Sequence, residues 1–239
     1  MSKILSFVQT KGGTGKTNLA RSISFSKIIQ KKFPSICLVD MDEQGSLKSW
    51  WSEREQNGYK SPGVSFLHMI SSDINLIKNQ LNSLVDNYDL IILDVAGESV
   101  GRLHTKLACA IADLSIIPMR TSTDDESAFE QNLLPIIREI IKKTPSQKNS
   151  YQILPTFVHP RSNKTKISDY ILSIVPSYIG CFRDFIPYRS IFENYSRDGA
   201  NLYDYQSMVK NNSRDLKQVK VAISDIDKIA KQILKCLET

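Results

Sequence analysis

One stretch of sequence decides the fold: Thr10-Lys11-Gly12-Gly13-Thr14-Gly15-Lys16-Thr17, set directly behind the apolar run Ile4-Leu5-Ser6-Phe7-Val8. It predicts a strand, a glycine-rich loop and a helix that begins at Lys16. Such a loop points several backbone N–H groups into one concavity, which suits a polyphosphate. Lys16 adds a positive charge for the β- and γ-phosphates, and the Thr17 hydroxyl can ligate Mg²⁺.

The loop carries a second lysine and lacks a glycine. The usual phosphate-loop pattern has Gly at position 10, where this chain has Thr, and Lys11 stands beside it. The segment 11–17 resembles the deviant Walker A box of the ParA/MinD family of ATPases; a glycine-rich loop with chance lysines is the structural alternative. The resemblance implies that Lys11 and Lys16 are catalytic, with Lys11 reaching across a dimer interface to the partner's ATP. It places the nucleotide against Lys11, Gly12, Gly13, Thr14, Gly15, Lys16, Thr17 and Asn18.

Composition places the chain among ordinary globular proteins. Its 239 residues are 41% hydrophobic and 23% charged, which predicts one α/β domain over 1–239 and argues against disorder. No apolar run approaches the ~20 residues of a membrane span, and the N-terminus carries no secretory pattern. The four cysteines are scattered, so we expect reduced thiols in a cytoplasmic protein.

Apolar stretches alternate with helical ones along the chain. This order predicts an α/β fold with a doubly wound, mostly parallel sheet and helices on both faces. The predicted strands are 3–9, 35–40, 63–67, 88–94, 113–119 and 150–157. The predicted helices are 16–32, 45–57, 73–84, 101–110, 124–143, 163–174 and 212–237. Pro135 predicts a kink or an early end in the fifth of them, and we expect no N-terminal helix-turn-helix domain before the first strand.

Two carboxylates follow the second predicted strand, in Val39-Asp40-Met41-Asp42-Glu43-Gln44-Gly45. A carboxylate at the C-terminal end of a strand faces the ligand crevice of an open α/β sheet. The segment resembles the family's Asp-x-Asp-Pro-Gln-Gly box, with Glu43 in the place of the usual Pro. The resemblance implies that Asp42 positions or activates the hydrolytic water and that Asp40 supports the metal through water. A helix N-cap with acidic first-turn residues is the structural alternative.

A later apolar strand, Tyr88-Asp89-Leu90-Ile91-Ile92-Leu93, ends in Asp94, as a Walker B strand does. By this resemblance Asp94 holds Mg²⁺ through a water ligand; a buried strand that ends in a turn is the alternative. Val95-Ala96-Gly97 stands where the family often has Thr-Pro-Pro, closer to the short ParF-type partition ATPases, and Gly97 leaves room near the γ-phosphate. Because all three boxes follow strands, we expect them at the same edge of one sheet.

Two further segments extend the resemblance. Residues 116–122 resemble the family's strand before a switch-like loop, and Phe185-Ile186-Pro187-Tyr188-Arg189 resembles the segment that packs on adenine. Pro187 and Tyr188 are therefore candidate contacts to the base. The alternative is a core Pro and Tyr near the end of a strand.

The net charge is mildly basic, +6, and cations gather on the last predicted helix. If 212–237 turns by about 100° per residue, they form one stripe opposite the apolar face. Such a stripe can neutralise phosphates without reading a sequence, although Asp225 and Asp227 also allow an ordinary solvated face. The stripe holds Arg214, Lys217, Lys228, Lys231 and Lys235. The resemblance to ParA proteins adds Arg189 as a DNA contact, and Lys164 and Lys166 are weaker candidates.

The resemblance as a whole implies a small ParA-type ATPase that dimerises on ATP and Mg²⁺, binds DNA non-specifically and segregates a plasmid or similar replicon. A ParB-like adaptor at a centromere-like site would stimulate hydrolysis, and the ATP-bound form would associate with the nucleoid. Alternatives stay open: ParA-like positioning of a conjugative transfer complex or a protein cluster, or a MinD-like membrane-bound regulator. The apolar side of the last helix runs its whole length, which favours core packing over a membrane anchor. Lys11 argues against a ligase of the same fold, such as dethiobiotin synthetase.

Overall fold

The computed structural model describes residues 2–95, 97, 102–144 and 149–238. The strands in these ranges are β1 (Lys3–Phe7), β2 (Ile36–Met41), β3 (Val64–His68), β4 (Leu90–Val95), β5 (Leu114–Met119), β6 (Ser150–Val158), β7 (Ile179–Cys181) and β8 (Ile186–Pro187). The α-helices are α1 (Lys16–Ser24), α2 (Lys27–Lys32), α3 (Ser46–Gln56), α4 (Ile74–Val85), α5 (Arg102–Ile111), α6 (Thr123–Ala128), α7 (Leu134–Lys143), α8 (Lys164–Ile174), α9 (Ile191–Asn194), α10 (Leu202–Met208) and α11 (Ser213–Leu237).

The strands form one sheet in the order β3-β2-β4-β1-β5-β6-β7, with β8 paired to β6. Every strand pair among the described residues is parallel. The chain leaves β1 for β2 on one side and leaves β4 for β5 on the other, so the direction of winding reverses between β1 and β4. A reversal of this kind opens a crevice at the carboxyl ends of the strands. The predicted doubly wound, parallel α/β fold is confirmed.

The apolar core forms one layer on each face of the sheet. On β4, Leu90 and Ile92 belong to the layer shared with α1, α3 and α11, whereas Ile91 and Leu93 belong to the layer shared with α4, α5 and α7. Successive side chains of a strand point to opposite faces. Because helices cover both faces, the central strands are apolar throughout instead of alternating with polar residues.

Two long predicted helices had the wrong extent. The predicted helix 16–32 is two helices, because Ser26 is extended between them (φ −64°, ψ 124°). The predicted helix 124–143 is interrupted by the π-helical turn Phe129–Leu133, just before Pro135. Proline lacks an N–H and its ring displaces the carbonyl four residues earlier, so the expected kink takes the form of a π turn.

Four short elements, β7, β8, α9 and α10, were not predicted. They contain only 3, 2, 4 and 7 residues, which is too short for a measurable periodicity. The predicted helix 101–110 begins at Gly101, and the predicted loop after Asp94 includes Ala96; both residues lie outside the described ranges.

Candidate functional site

Three strand ends meet at one cleft. β1, β2 and β4 lead into the glycine-rich loop, the Asp42 loop and Gly97, and residues from all three line a cleft of about 530 Å³. Such a volume is typical of a small-molecule site. The structure therefore brings the three predicted boxes together at one edge of the sheet.

The backbone of the glycine-rich loop depends on Gly13 and Gly15. Their φ values are 70° and 98°, a region that residues with a Cβ disfavour. Gly15 is the N-cap of α1 and offers no capping side chain. The first N–H groups of the helix are thus left for an anion, which the helix dipole also attracts.

Lys16 is buried at the cleft. Only 8% of the residue is exposed, and its Nζ donates to the Lys11 carbonyl at 3.4 Å. Burial lowers the pKa of Lys16, while the carboxylates of Asp94 and Asp42 oppose that shift. A Cβ at position 97 would lie 3.0 Å from this ammonium, so Gly97 keeps the surroundings of the ammonium open, and its closeness to a γ-phosphate stays a prediction.

Lys11 is held by acids of α6. Its Nζ lies 2.8 Å from Oδ1 of Asp125, which is fully buried, and 3.6 Å from Oδ2 of Asp124. The hydrogen bond to Asp125 raises the pKa of Lys11. The ammonium therefore has protein partners within its own subunit, and its reach into a partner subunit stays a prediction.

Asp94 and Thr17 form a pair suited to Mg²⁺. Asp94 is 2% exposed, and its Oδ1 has no hydrogen-bond partner among the described residues. Burial raises the pKa of Asp94 to about 7, and a hydrogen bond with the Thr17 side chain opposes this. A buried, unpaired carboxylate oxygen is costly, and Mg²⁺ is commonly held by one or two carboxylates with several waters. The residues present thus fit the metal that a phosphate loop implies.

Asp40 shapes the loop that carries Asp42. Its Oδ1 accepts the Asp42 N–H at 3.0 Å and its Oδ2 accepts the Lys48 N–H at 2.9 Å. Burial raises the pKa of Asp40, and these two backbone bonds oppose the shift. Asp42 lines the cleft and accepts the Gln44 N–H at 2.9 Å. Asp40 therefore caps backbone N–H groups of this loop, while Asp42 presents its carboxylate to the cleft. The two interpretations of the segment are compatible.

Two polar residues beside the cleft were missed in the sequence. Arg120 follows β5 and donates from Nη2 to the Gly13 carbonyl at 2.7 Å, while its backbone N–H donates to Asp125 at 3.0 Å. His104 of α5 lines the cleft, and its Nε2 donates to the Ser71 carbonyl at 2.9 Å. Arg120 lies in the segment 116–122 that resembles the family's strand before a switch-like loop, but the sequence assigned it no contact; His104 belongs to no recognised motif, so only the three-dimensional fold reveals its position.

Pro187 and Tyr188 line an apolar recess next to the glycine-rich loop, together with Phe157 and Asn18. The Tyr188 N–H donates to the Val158 carbonyl at 2.8 Å, which holds the segment beside β6. Pro187 is buried, whereas Tyr188 is exposed and is not a core residue. The Asn18 amide donates to the Phe192 carbonyl at 2.6 Å, so this side chain fixes the wall of the recess.

The cations predicted to contact DNA fall into two groups. Arg189 and Lys228 both bind the buried carboxylate of Asp225, at 2.7 and 3.2 Å. Arg214, Lys217, Lys231 and Lys235 are exposed along α11. Lys220, which the predicted stripe omitted, is also exposed and lines a groove with Arg189, Lys217 and Lys228.

The weaker candidates lie on α8. Both are exposed, and Lys164 is paired with Asp184. The cation group of α11 is therefore the larger of the two basic surfaces.

The apolar face of α11 is buried in the core from Val219 to Leu237. It is thus already covered by protein, as the sequence predicted. None of the helices in the described residues combines the length and the apolarity that a bilayer crossing requires.

Comparisons with known proteins identify a family and a curated relative. A sequence model described as the CobQ/CobB/MinD/ParA nucleotide binding domain matches residues 5–233. A curated relative, the probable plasmid-partitioning protein ParA of Thermus thermophilus, is 24% identical over 163 residues, 54% of this chain and 48% of the relative. The chain thus spans about half the length of that curated relative.

Solved structures share the fold. The structure of pnob8 ParA has a TM-score of 0.69 at 16% identity and covers 100% of this chain and 99% of its own. The septum site-determining protein MinD of Pyrococcus horikoshii OT3, complexed with Mg-ADP, has a TM-score of 0.62 at 17% identity and covers 96% and 98%.

Proposed function

This chain belongs to the CobQ/CobB/MinD/ParA nucleotide-binding domain family, and from that premise we propose that it is a Mg²⁺-dependent ATPase of the ParA type. One domain, 1–239, dimerises on ATP, binds DNA non-specifically and segregates or positions a plasmid or similar DNA cargo. It is cytoplasmic and associates with the nucleoid when ATP is bound.

The observation that carries the proposal is a pair of buried charged groups, at and next to one cleft, whose hydrogen-bonding capacity is only partly used. The buried Lys16 ammonium has one long hydrogen bond, to a carbonyl, and Asp94 Oδ1 has no partner among the described residues. Hydrogen-bonding capacity that a buried charged group leaves unused is costly. An anionic phosphate chain would satisfy the lysine and the helix N–H groups, and a divalent cation would satisfy the carboxylate.

Each residue then has a distinct task. Lys16 and the loop N–H groups bind the β- and γ-phosphates, and Asp42 orients the hydrolytic water. Asp94 and Thr17 would hold Mg²⁺, which would supply positive charge beside the phosphates. Asp40 supports the metal site and keeps Asp42 in place through its bond to the Asp42 N–H.

Dimerisation depends on Lys11. To reach the phosphates of a partner subunit, its ammonium must exchange the carboxylate of Asp125 for a phosphate. Asp125 and the phosphate are both anions, so the exchange depends on the difference between their free energies of interaction with the Lys11 ammonium. ADP has one phosphate fewer than ATP and therefore favours the exchange less. The nucleotide thereby shifts the population between monomer and dimer.

The DNA and adaptor steps rest on the basic surface and on the relatives. The exposed cations Arg214, Lys217 and Lys231 suit a sequence-independent phosphate contact. The curated relative bears the name of a plasmid-partitioning protein, which supports a ParB-like adaptor as the partner that stimulates hydrolysis.

A second candidate is the positioning of another cargo by the same ATPase cycle, because nothing in the cleft depends on the cargo. A small adaptor gene with flanking repeats beside this gene would favour segregation. The buried apolar face of α11 argues against a MinD-like membrane role. If the protein sedimented with lipid vesicles in the presence of ATP, that result would support the membrane role instead.

The decisive experiment sizes the protein with ADP, with ATP and with a non-hydrolysable ATP analogue, each with and without plain duplex DNA. We expect a monomer in ADP, a dimer in the analogue and co-elution with DNA for the dimer alone. Lys11→Ala is the matched control, because it should bind nucleotide and stay monomeric. A monomer in every nucleotide would refute the proposed cycle.

A further inference from the structure

Arg21 differs from the other arginines that the fold buries in whole or in part. Arg54, Arg120 and Arg189 each form an ion pair with an aspartate. Arg21 belongs to none of the ion pairs within the described residues, and its one hydrogen bond there runs from Nε to the Thr17 carbonyl at 3.3 Å. The donors on its two terminal nitrogens are thus left without a protein partner in this part of the chain.

The position of Arg21 on α1 directs its side chain towards the nucleotide cleft. Arg21 follows Thr17 by four residues, so the two share a face of the helix, and helical side chains lean towards the N-terminus. Arg21 lines the cleft of about 530 Å³ together with Thr17 and Ser46. A basic residue in the last turn of a helix usually serves the carbonyl end, but this guanidinium reaches back to the first turn.

An aromatic ring of α3 orients the guanidinium. The Arg21 Cζ lies 5.5 Å from the ring centroid of Trp50. Trp50 is only 3% exposed, and its Nε1 donates to the Ala200 carbonyl at 3.2 Å, so the ring itself is fixed. A guanidinium is attracted to the face of an aromatic ring. Arg21 is therefore oriented before any ligand arrives, which lowers the entropy cost of binding one.

The charge of Arg21 acts on the same part of the cleft as the Mg²⁺ ligands. Burial raises the pKa of Asp94 to about 7, and the Arg21 guanidinium is one of the charges that oppose this rise. A guanidinium presents a planar fork of donors that matches the oxygens of a phosphate. Arg21 thus combines charge, unused donors and a fixed orientation at a cleft that suits a polyphosphate.

We propose that Arg21 is a further phosphate-binding residue of the cleft, a guanidinium from α1 that contacts the triphosphate bound in its own subunit, on the side of Thr17. This inference rests on the proposed function, in that the cleft must bind a nucleoside triphosphate. Lys16 and Arg21 then bind the same phosphate chain, Lys16 from the glycine-rich loop and Arg21 from the following turns of α1. No motif of the sequence indicates Arg21, because its role depends on the ring that α3 packs beside it.

The test compares the affinity of the protein for a non-hydrolysable MgATP analogue and for Mg-tripolyphosphate, which has no base, by titration calorimetry. A hydrogen bond to a charged group is worth roughly 10- to 150-fold in affinity. We expect Arg21→Ala to weaken both ligands by about 10-fold or more and by the same factor, because the lost contact is to a phosphate. Arg197→Ala removes an exposed arginine outside the cleft and should change neither affinity.

Two further variants separate charge from packing and decide the matter even if Arg21→Ala does not fold. Arg21→Gln can still donate to the Thr17 carbonyl but carries no charge, whereas Arg21→Lys keeps the charge without the planar fork. Arg21→Lys should therefore bind both ligands more tightly than Arg21→Gln. The melting temperature of each variant shows that folded proteins are compared.

The outcomes are distinct. If Arg21 served only to offset the charge of Asp94, its removal would leave that carboxylate a stronger attractor of Mg²⁺, and Arg21→Ala would bind both ligands at least as tightly as wild type. That result overturns the phosphate contact, as does a loss for the ATP analogue alone, or equal affinities in Arg21→Lys and Arg21→Gln. A wild-type protein that binds neither ligand refutes the proposed function itself.

Discussion

The nucleotide cleft and the basic surface of α11 both gather cations, but they differ in what those cations bind. In the cleft, Lys16 is buried with one long hydrogen bond to a carbonyl, and the nearby Asp94 has an oxygen without a partner among the described residues. On α11, Asp225 gives one oxygen to Arg189 and the other to Lys228. A buried oxygen without a partner, such as Asp94 Oδ1, indicates a site that needs its ligand, whereas Arg189 and Lys228, like Lys11 beside Asp125 in the cleft, must first exchange a partner.

The difference also sets the size of the expected effects. Interactions between buried charges are little screened, whereas exposed charges act through water and salt. Exposed ion pairs contribute about 0–1 kcal/mol each. Substitutions in the cleft should therefore have large effects, and those on α11 should have small effects that depend on salt.

The largest effect is expected for Lys16→Ala. It removes the buried ammonium and with it charge-assisted hydrogen bonds to two phosphates, so nucleotide affinity should fall roughly 1,000-fold or more. Titration calorimetry with MgATP measures this. Lys48→Ala, at an exposed position of α3, is a control of equal charge change. Undiminished affinity in Lys16→Ala would remove the phosphate-loop assignment.

The same contrast explains what the sequence could predict. The cleft follows from strand–loop–helix order, since parallel strands place their carboxyl ends at one edge, and Gly13, Gly15, Asp42 and Asp94 sit there as expected. The partners of the basic residues could not be predicted in this way. Asp225 meets Arg189 only because β8 and α11 pack together, and helical periodicity alone cannot reveal a partner 36 residues away.

Three other features could not be predicted from the sequence, because they too depend on how distant segments pack together. Phe157 looks like an ordinary strand residue in the sequence, and its positive φ arises from the irregular pairing of β6 with β8. β8 itself has two residues and no pattern of its own. Lys11 was identified by its motif, but its contact with Asp125 depends on how α6 packs against the loop.

Asp42→Ala tests a cleft residue that should orient the hydrolytic water and contribute little to the binding of ATP. Groups that position or deprotonate a nucleophile contribute about 100-fold or more, so turnover should fall by roughly that factor. The ATP-bound dimer should still form. Phosphate release and sizing on the same sample measure both properties, and full turnover would show that another residue handles the water.

Asp94→Asn probes the cost of the unpaired carboxylate. Burial raises the pKa of Asp94 from 3.8 to about 7 in the folded protein, so the charged form destabilises the fold above pH 7, and this cost shrinks as the pH falls towards 3.8. Without nucleotide or Mg²⁺, the Asn variant should be more stable than wild type by about 1–3 kcal/mol at pH 8 and by less at pH 5.

Denaturant unfolding at the two pH values tests this. The same variant should lose stabilisation by Mg²⁺ with nucleotide. A variant less stable than wild type at pH 8 would mean that Asp94 already has a favourable partner in the protein.

On the surface, Arg214→Ala combined with Lys217→Ala should weaken DNA binding about 10-fold at moderate salt. Two lost phosphate contacts should also reduce the slope of log affinity against log salt by about 2. ATPase activity without DNA should not change. Fluorescence anisotropy with duplexes of unrelated sequence gives both numbers, and an unaltered slope would place the DNA contact elsewhere.

The smallest effect is expected for Asp225→Asn, and its sign makes it informative. The substitution frees Arg189 and Lys228 from their shared carboxylate while keeping the shape of the side chain. DNA affinity should rise by roughly 3-fold, with a steeper salt slope because more phosphates are neutralised. Asp215→Asn is the matched control: it changes the charge of the same helix, but Asp215 bonds Asn212 and neither of the two cations. An equal gain in both variants would mean that net charge alone matters; a loss in Asp225→Asn alone would mean that the carboxylate holds Arg189 and Lys228 in the position that DNA requires.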